Sequence, residues 1–167
     1  MADVRWPMGR WADDGRQMLN ELRLSRRVRF SETDVAGLVH FSNFFRYFED
    51  AEHELWRRCG LSIHPERSSI GWPRVSATCE FLRPLKFEQE FEIVVRISEM
   101  TKRTIAYSGE ITGNGDRIAT GVWKIACVTR LADGTMKSAE IPADVADRLR
   151  PYVNRPSVID HRPSDTA

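Results

Sequence analysis

The stretch SETDVAGLVHFSNFF, residues 31–45, lies where one periodicity gives way to another. Before it, Leu22, Leu24, Val28 and Phe30 alternate with Arg23, Ser25, Arg27 and Arg29, Arg26 being the one break, as in a half-buried strand. From Phe41 onward, Phe41, Phe44, Phe48, Ala51 and Leu55 step by three and four along one helix face, and Arg46, Asp50, His53 and Arg57 take the other. The spacing predicts a helix of about four turns. Ser42 or Asn43 is expected to cap its start and Gly60 to end it. Between strand and helix stand the acid Asp34, the glycine Gly37 and the histidine His40. The Asp34 carboxylate, held seven residues before the helix start at Phe41, is the feature to explain.

Past a loop with Pro65, Gly71 and Pro73, the pattern returns to period two. Val75, Ala77, Cys79 and Phe81 alternate, then Phe91, Ile93, Val95 and Ile97, then Ile105, Tyr107 and Ile111. The run from Ile118 to Thr129 is nearly continuous in apolar residues around Trp123 and Ile125, as in a strand covered on both faces. GNGD at 113–116 and ADGT at 132–135 are hairpin chemistry, because Gly and Asn supply positive φ. A short closing helix is expected from Pro142 to about Arg150. Strand, helix, then four or five antiparallel strands make an α+β chain whose sheet buries its apolar face by curling around the helix.

The 167 residues suit one domain, and 25 Lys and Arg against 24 Asp and Glu give a net charge of +1. No global field points to nucleic acid or an anionic membrane, so neither is an expected partner. Cys59, Cys79 and Cys127 have no paired spacing, which fits reduced cysteines in a cytoplasmic protein. No window approaches the roughly 18 apolar residues of a membrane span. Residues 1–20, with Trp6 and Trp11, read as an N-terminal extension, 21–150 as the domain, and 151–167 as a polar, flexible tail.

The segment FSETDVAGLVHFSNFFRYFEDAEHELWRRCG, residues 30–60, resembles the active-site signature of the 4-hydroxybenzoyl-CoA thioesterase family, which has the hotdog fold. The matching positions are the acid at Asp34, glycine at Gly37, aromatic or His at His40 and Phe41, and Glu at Glu49. TCEFLRPLKFEQEFEI, residues 78–93, is similar to the family's strand-turn-strand segment. The resemblance implies an antiparallel sheet wrapped around a long central helix, acyl-CoA hydrolysis in a site shared between two subunits, and an acid at Asp34 acting on the thioester. It also implies a homodimer or homotetramer, and no cofactor beyond the coenzyme A carried by the substrate.

Thioester hydrolysis needs a donor for the developing oxyanion and a carboxylate to supply or activate the oxygen nucleophile. The amides of a helix start are unpaired and sit at the positive end of the helix dipole. By position, the Phe41 amide is the expected oxyanion donor. Asp34 reads equally as nucleophile or general base, and Gly37 as a turn that shapes the loop or as a turn glycine alone. His40 is a candidate proton donor to the thiolate or a pocket wall. Glu49 is a water-positioning candidate or an internal partner for an Arg, and Phe44 a candidate acyl-pocket residue among core aromatics. Arg83, Lys86, Lys102 and Arg103 at strand ends are candidate partners for the phosphates of coenzyme A. Glu49 and His53 share a helix face, yet no further ligand has fitting spacing, and no metal is expected. Two rival readings are a non-catalytic acyl-CoA binder and a hotdog hydratase or dehydratase. Against the second, the Asp34 to His40 interval is one residue longer than Asp-x-x-x-x-His, and the NP that precedes that His is absent.

Overall fold

In the computed structural model, residues 20–66 and 68–154 are described. The expected N-terminal extension up to residue 19 and the tail from 155 lie outside the described residues. The elements are β1 (Leu22–Arg27), a 3-10 turn (Phe30–Glu32), α1 (Phe41–Arg58), β2 (Ile70–Gly71), β3 (Arg74–Phe81), β4 (Glu90–Met100), β5 (Thr104–Gly113), β6 (Asp116–Ala126), β7 (Val128–Arg130), β8 (Met136–Ser138), α2 (Ala143–Leu149) and a second 3-10 turn (Arg150–Tyr152). Five strands form one antiparallel sheet in the order β1-β4-β5-β6-β3, and β2, β7 and β8 form a smaller one. Both expected hairpins form, with Asn114 at φ 53° and Gly115 and Gly134 each at φ 83°.

Helix α1 packs on one face of the large sheet. Phe44, Phe48, Ala51 and Leu55 are buried as the spacing requires, against Ile93, Val95, Tyr107, Ile111 and Trp123. The closest approach is at Phe48. Gly109 and Gly121 are paired across β5 and β6, and a Cβ on either would fall within 2.6 Å of the Phe48 ring. Two side-chain-free positions side by side are what let an aromatic ring lie on the sheet backbone.

Several expectations are corrected. Phe41 opens the helix but is 61% exposed, whereas Phe44 in the same turn is buried, so the apolar stripe begins at Phe44. The alternation of β1 continues through Arg26, whose side chain stacks over the Tyr47 ring at 5.0 Å; Phe30 instead lies in the 3-10 turn, 78% exposed. The helix cap is His40, whose ring accepts from the Ser42 amide, while Asn43 donates its side-chain amide to the Glu32 carbonyl. The run from Ile118 to Thr129 is two strands, since Cys127 turns its amide to the Arg103 carbonyl between them. The chain also stays in the fold past residue 150: Val153 bridges Ile97 and the Asn154 amide donates to the Ile97 carbonyl.

Strand β3 ends the sheet and is largely uncovered. Val75 is 56% and Phe81 49% exposed, and the inward side of this strand, beside α1, lies open. Its outer edge carries backbone groups that pair with no strand among the described residues.

Candidate active site

The residues between β1 and α1 form a tight loop. Thr33 bridges Val39, the Asp34 amide donates to the Leu38 carbonyl at 2.8 Å, and the Gly37 amide returns to the Asp34 carbonyl at 3.0 Å. Gly37 sits at φ 73°, so the turn requires a residue free to adopt left-handed backbone. The loop is braced from the β3–β4 connection: the Val39 amide donates to the Leu85 carbonyl, and Leu38 bridges Lys86.

Within this loop, one Asp34 oxygen, Oδ1, accepts from the amides of Ala36 at 2.8 Å and Leu38 at 3.3 Å. Asp34 is exposed, and its Oδ2 accepts from no donor among the described residues, so that oxygen keeps its acceptor capacity. Directly after the loop, His40 and Phe41 begin α1. His40 Nδ1 lies 2.8 Å from Ser42 Oγ and its ring packs on Phe41 at 4.4 Å, so this imidazole is engaged in capping. The Phe41 amide donates to no acceptor among the described residues, as the first amide of a helix does when no side chain reaches it. Loop and helix start thus bring Asp34, Gly37, His40 and Phe41 together at one end of the sheet.

The other candidates divide by position. Lys86 stands beside Gly37 and Leu38, at the same end. Arg83 is at that end too, ion-paired with Asp116 at 3.4 Å. Lys102 and Arg103 are not gathered there: they occupy the β4–β5 turn, where their carbonyls hold Ile141 and Cys127. The length of β4 puts that turn roughly 30 Å away along the sheet. Phe44 is 4% exposed, with its ring 5.1 Å from Phe81, so it lies in the core beneath the end of β3. Glu49 lies two turns along α1, within 3.7 Å of Arg74.

Apolar side chains are exposed at this end of the sheet. Phe30, Val35, Phe41, Phe81, Leu82 and Phe87 are all about half exposed or more, and Phe30 meets Phe87 edge-on at 5.7 Å. A separate, shallow depression of about 540 Å³ lies between the end of β1, the start of β4 and the β5–β6 turn; Asp34 does not line it.

Deeper, Glu52 is buried on α1, accepting from Trp123 Nε1 at 2.6 Å and from Arg74 at 2.7 Å. Burial pushes its carboxyl up to about 7, against the opposing pull of Arg74 and the Trp123 hydrogen bond. Burial likewise lowers the neighbouring His53. The sequence reading missed Glu52, since an acid one position off the apolar stripe looks like a surface charge; Arg74 and Trp123, whose partner it is, come from distant strands.

Comparison with known proteins settles the family. The model of the thioesterase-like superfamily matches residues 28–149. The chain belongs to that superfamily. It is 26% identical over 136 residues to a 4-hydroxybenzoyl-CoA thioesterase of Pseudomonas sp. strain CBS-3, covering 76% of this chain and 96% of that protein. It is 28% identical over 107 residues to a 1,4-dihydroxy-2-naphthoyl-CoA hydrolase of Synechococcus sp. strain CC9605, covering 60% and 72%. Among solved structures, a hypothetical protein from Aquifex aeolicus superposes with a TM-score of 0.68 at 32% identity, covering 76% of this chain and 98% of its own. The expected resemblance to the 4-hydroxybenzoyl-CoA thioesterases therefore holds, as does the antiparallel sheet with a helix on its face.

Proposed function

We propose that this protein is an acyl-CoA thioesterase of the hotdog type, its sheet wrapped around α1, which hydrolyses the substrate at the Asp34 loop. One observation carries the reading: a loop closed on itself holds the Asp34 carboxylate through Oδ1 shortly before a helix whose first amide, Phe41 N–H, has no acceptor among the described residues. A thioester carbonyl accepting from that amide becomes more electrophilic, and the helix dipole favours the charge that builds on its oxygen. Asp34 Oδ2 then acts at the carbonyl carbon, either by attack to a mixed anhydride that water opens, or by taking a proton from an attacking water. In both routes the C–S bond breaks, one water is consumed, and the products are a carboxylic acid and the thiol of coenzyme A.

The active form is a homodimer, or a homotetramer built from such dimers, joined along β3. The open edge, its exposed apolar side chains and the uncovered trough beside α1 support this. Antiparallel pairing of two β3 edges also directs the Lys102–Arg103 turn of one protomer toward the Asp34 end of the other, where Lys86 and Arg83 stand, so that cations from both chains serve the phosphates of coenzyme A. Phe81 and the apolar residues around the loop would wall the acyl group. No helix among the described residues is long and apolar enough to cross a membrane, and Cys59, Cys79 and Cys127 are free, which supports a reducing cytoplasmic setting. The test is release of free thiol from a panel of aromatic, short-chain and long-chain acyl-CoAs by the purified protein. Tight acyl-CoA binding with no thiol release from any member would replace the enzyme with a binder, and hydration of crotonyl-CoA without thiol release would replace it with a hydratase.

A further inference from the structure

The loop carrying Asp34 is held by a neighbour that the reaction does not use. Glu32 lies two residues before Asp34, its side chain 14% exposed. Its Oε2 accepts from the Arg29 amide at 2.8 Å and from the Tyr47 hydroxyl at 2.9 Å, and its Oε1 accepts from Arg26 at 3.3 Å. Its main-chain carbonyl accepts twice more, from the His40 amide at 2.9 Å and from Asn43 Nδ2 at 2.7 Å. One residue therefore takes five donors, from β1, from the residue before the 3-10 turn, from the residue that caps α1 and from the first two turns of α1.

We propose that Glu32 is the positioning residue of the site: it fixes the strand end that bears Asp34 against the helix start that bears the Phe41 amide. The loop begins at Thr33 and closes at Val39, so its two ends are Glu32 and His40, and the Glu32 carbonyl joins them directly. The side chain adds the second anchor. Tyr47 is buried on α1, its ring packed on Phe91 at 4.8 Å and covered by Arg26, so its hydroxyl is a fixed point. Arg26 is itself held by Asp50 on the same helix. The loop is thereby referenced to α1 through two independent links. A carboxylate suits the position because it only accepts, and all three groups facing it are donors. In Glu32→Gln the amide nitrogen must meet one of those donors head-on.

This rests on the thioesterase reading, and its consequences are separable from it. Displacing a reacting group by about 1 Å costs on the order of a hundredfold in rate. Glu32→Gln and Tyr47→Phe should each lower kcat for thiol release by roughly tenfold to a hundredfold while KM stays within about twofold, because substrate contacts are untouched. Tyr47→Phe keeps the ring packing and guards against a variant that simply misfolds. The double variant should lose little more than the worse single one, since both break the same link. In an Asp34→Asn background, Glu32→Gln should have no further effect, which a general loss of structure would not reproduce. A wild-type protein that hydrolyses acyl-CoA with Glu32→Gln and Tyr47→Phe unchanged in kcat overturns the positioning role alone. So does an equal further loss in the Asp34→Asn background. A wild-type protein that hydrolyses nothing overturns the thioesterase reading, and the positioning role falls with it.

Discussion

Replacing Phe41 by proline would remove the proposed oxyanion donor and little else. Phe41 is the first residue of α1, where proline is well accommodated, since its fixed φ near −65° suits a helix start. The residue before a proline must be extended, and His40 already is, at φ −62° and ψ 135°. No intramolecular hydrogen bond is lost, because the Phe41 amide has no acceptor among the described residues. Little burial is lost either, with the side chain 61% exposed. The stability change should stay below about 1 kcal/mol, a shift of at most about 2–4 °C for a domain of this size. Loss of one oxyanion donor costs about a hundredfold to a thousandfold in kcat. The assay is thiol release beside thermal unfolding for wild type, Phe41→Pro and Phe41→Ala; the alanine variant keeps the amide and should keep most of the rate. Wild-type turnover in Phe41→Pro would refute the oxyanion assignment, and equal losses in both variants would assign the effect to the ring instead of the amide.

Other outcomes follow from the packing. The raised carboxyl of Glu52 contributes stability that is fully present below its unfolded value of 4.5 and is lost as pH rises through about 7. The stability of wild type relative to Glu52→Gln should therefore fall by roughly 3 kcal/mol from pH 4.5 to 8 in urea titrations, and a difference that is flat or rises with pH contradicts the burial argument. Gly121→Ala should cost about 1–3 kcal/mol, because its Cβ would lie 2.5 Å from the Phe48 ring; a neutral change in the urea midpoint would mean that the ring has room to shift. Ala77→Lys on the open edge strand should convert a dimer to monomers in sedimentation and lower thiol release at least tenfold. A wild-type protein that is monomeric and active would dispose of the shared site.

The sequence made the helix, the strands and their hairpins legible, because burial on one face imposes a period and Gly-containing turns mark the reversals. It also singled out Asp34, Gly37, His40 and Phe41, which the loop brings together. What it hid depends on contacts between distant residues. Arg26 broke the β1 alternation on paper, yet it lies inward because Tyr47, on α1, offers its ring face. Glu52 looked like one more helix-surface acid until Trp123 and Arg74 arrived from β6 and β3. Lys102 and Arg103 shared a local pattern with Lys86, but strand β4 carries them to the other end of the sheet. Glu32 carries no signal of its own, since its role comes from Tyr47 and Asn43 on the far side of the loop.

The central claim is that the Asp34 carboxylate performs the hydrolysis at the Phe41 amide. It is tested most directly by Asp34→Asn, which keeps the side chain's shape and an oxygen to accept from Ala36, and removes the charge. Single-turnover thiol release at saturating acyl-CoA should fall by at least a thousandfold, with acyl-CoA affinity within about threefold of wild type. Release at the wild-type rate would contradict the account.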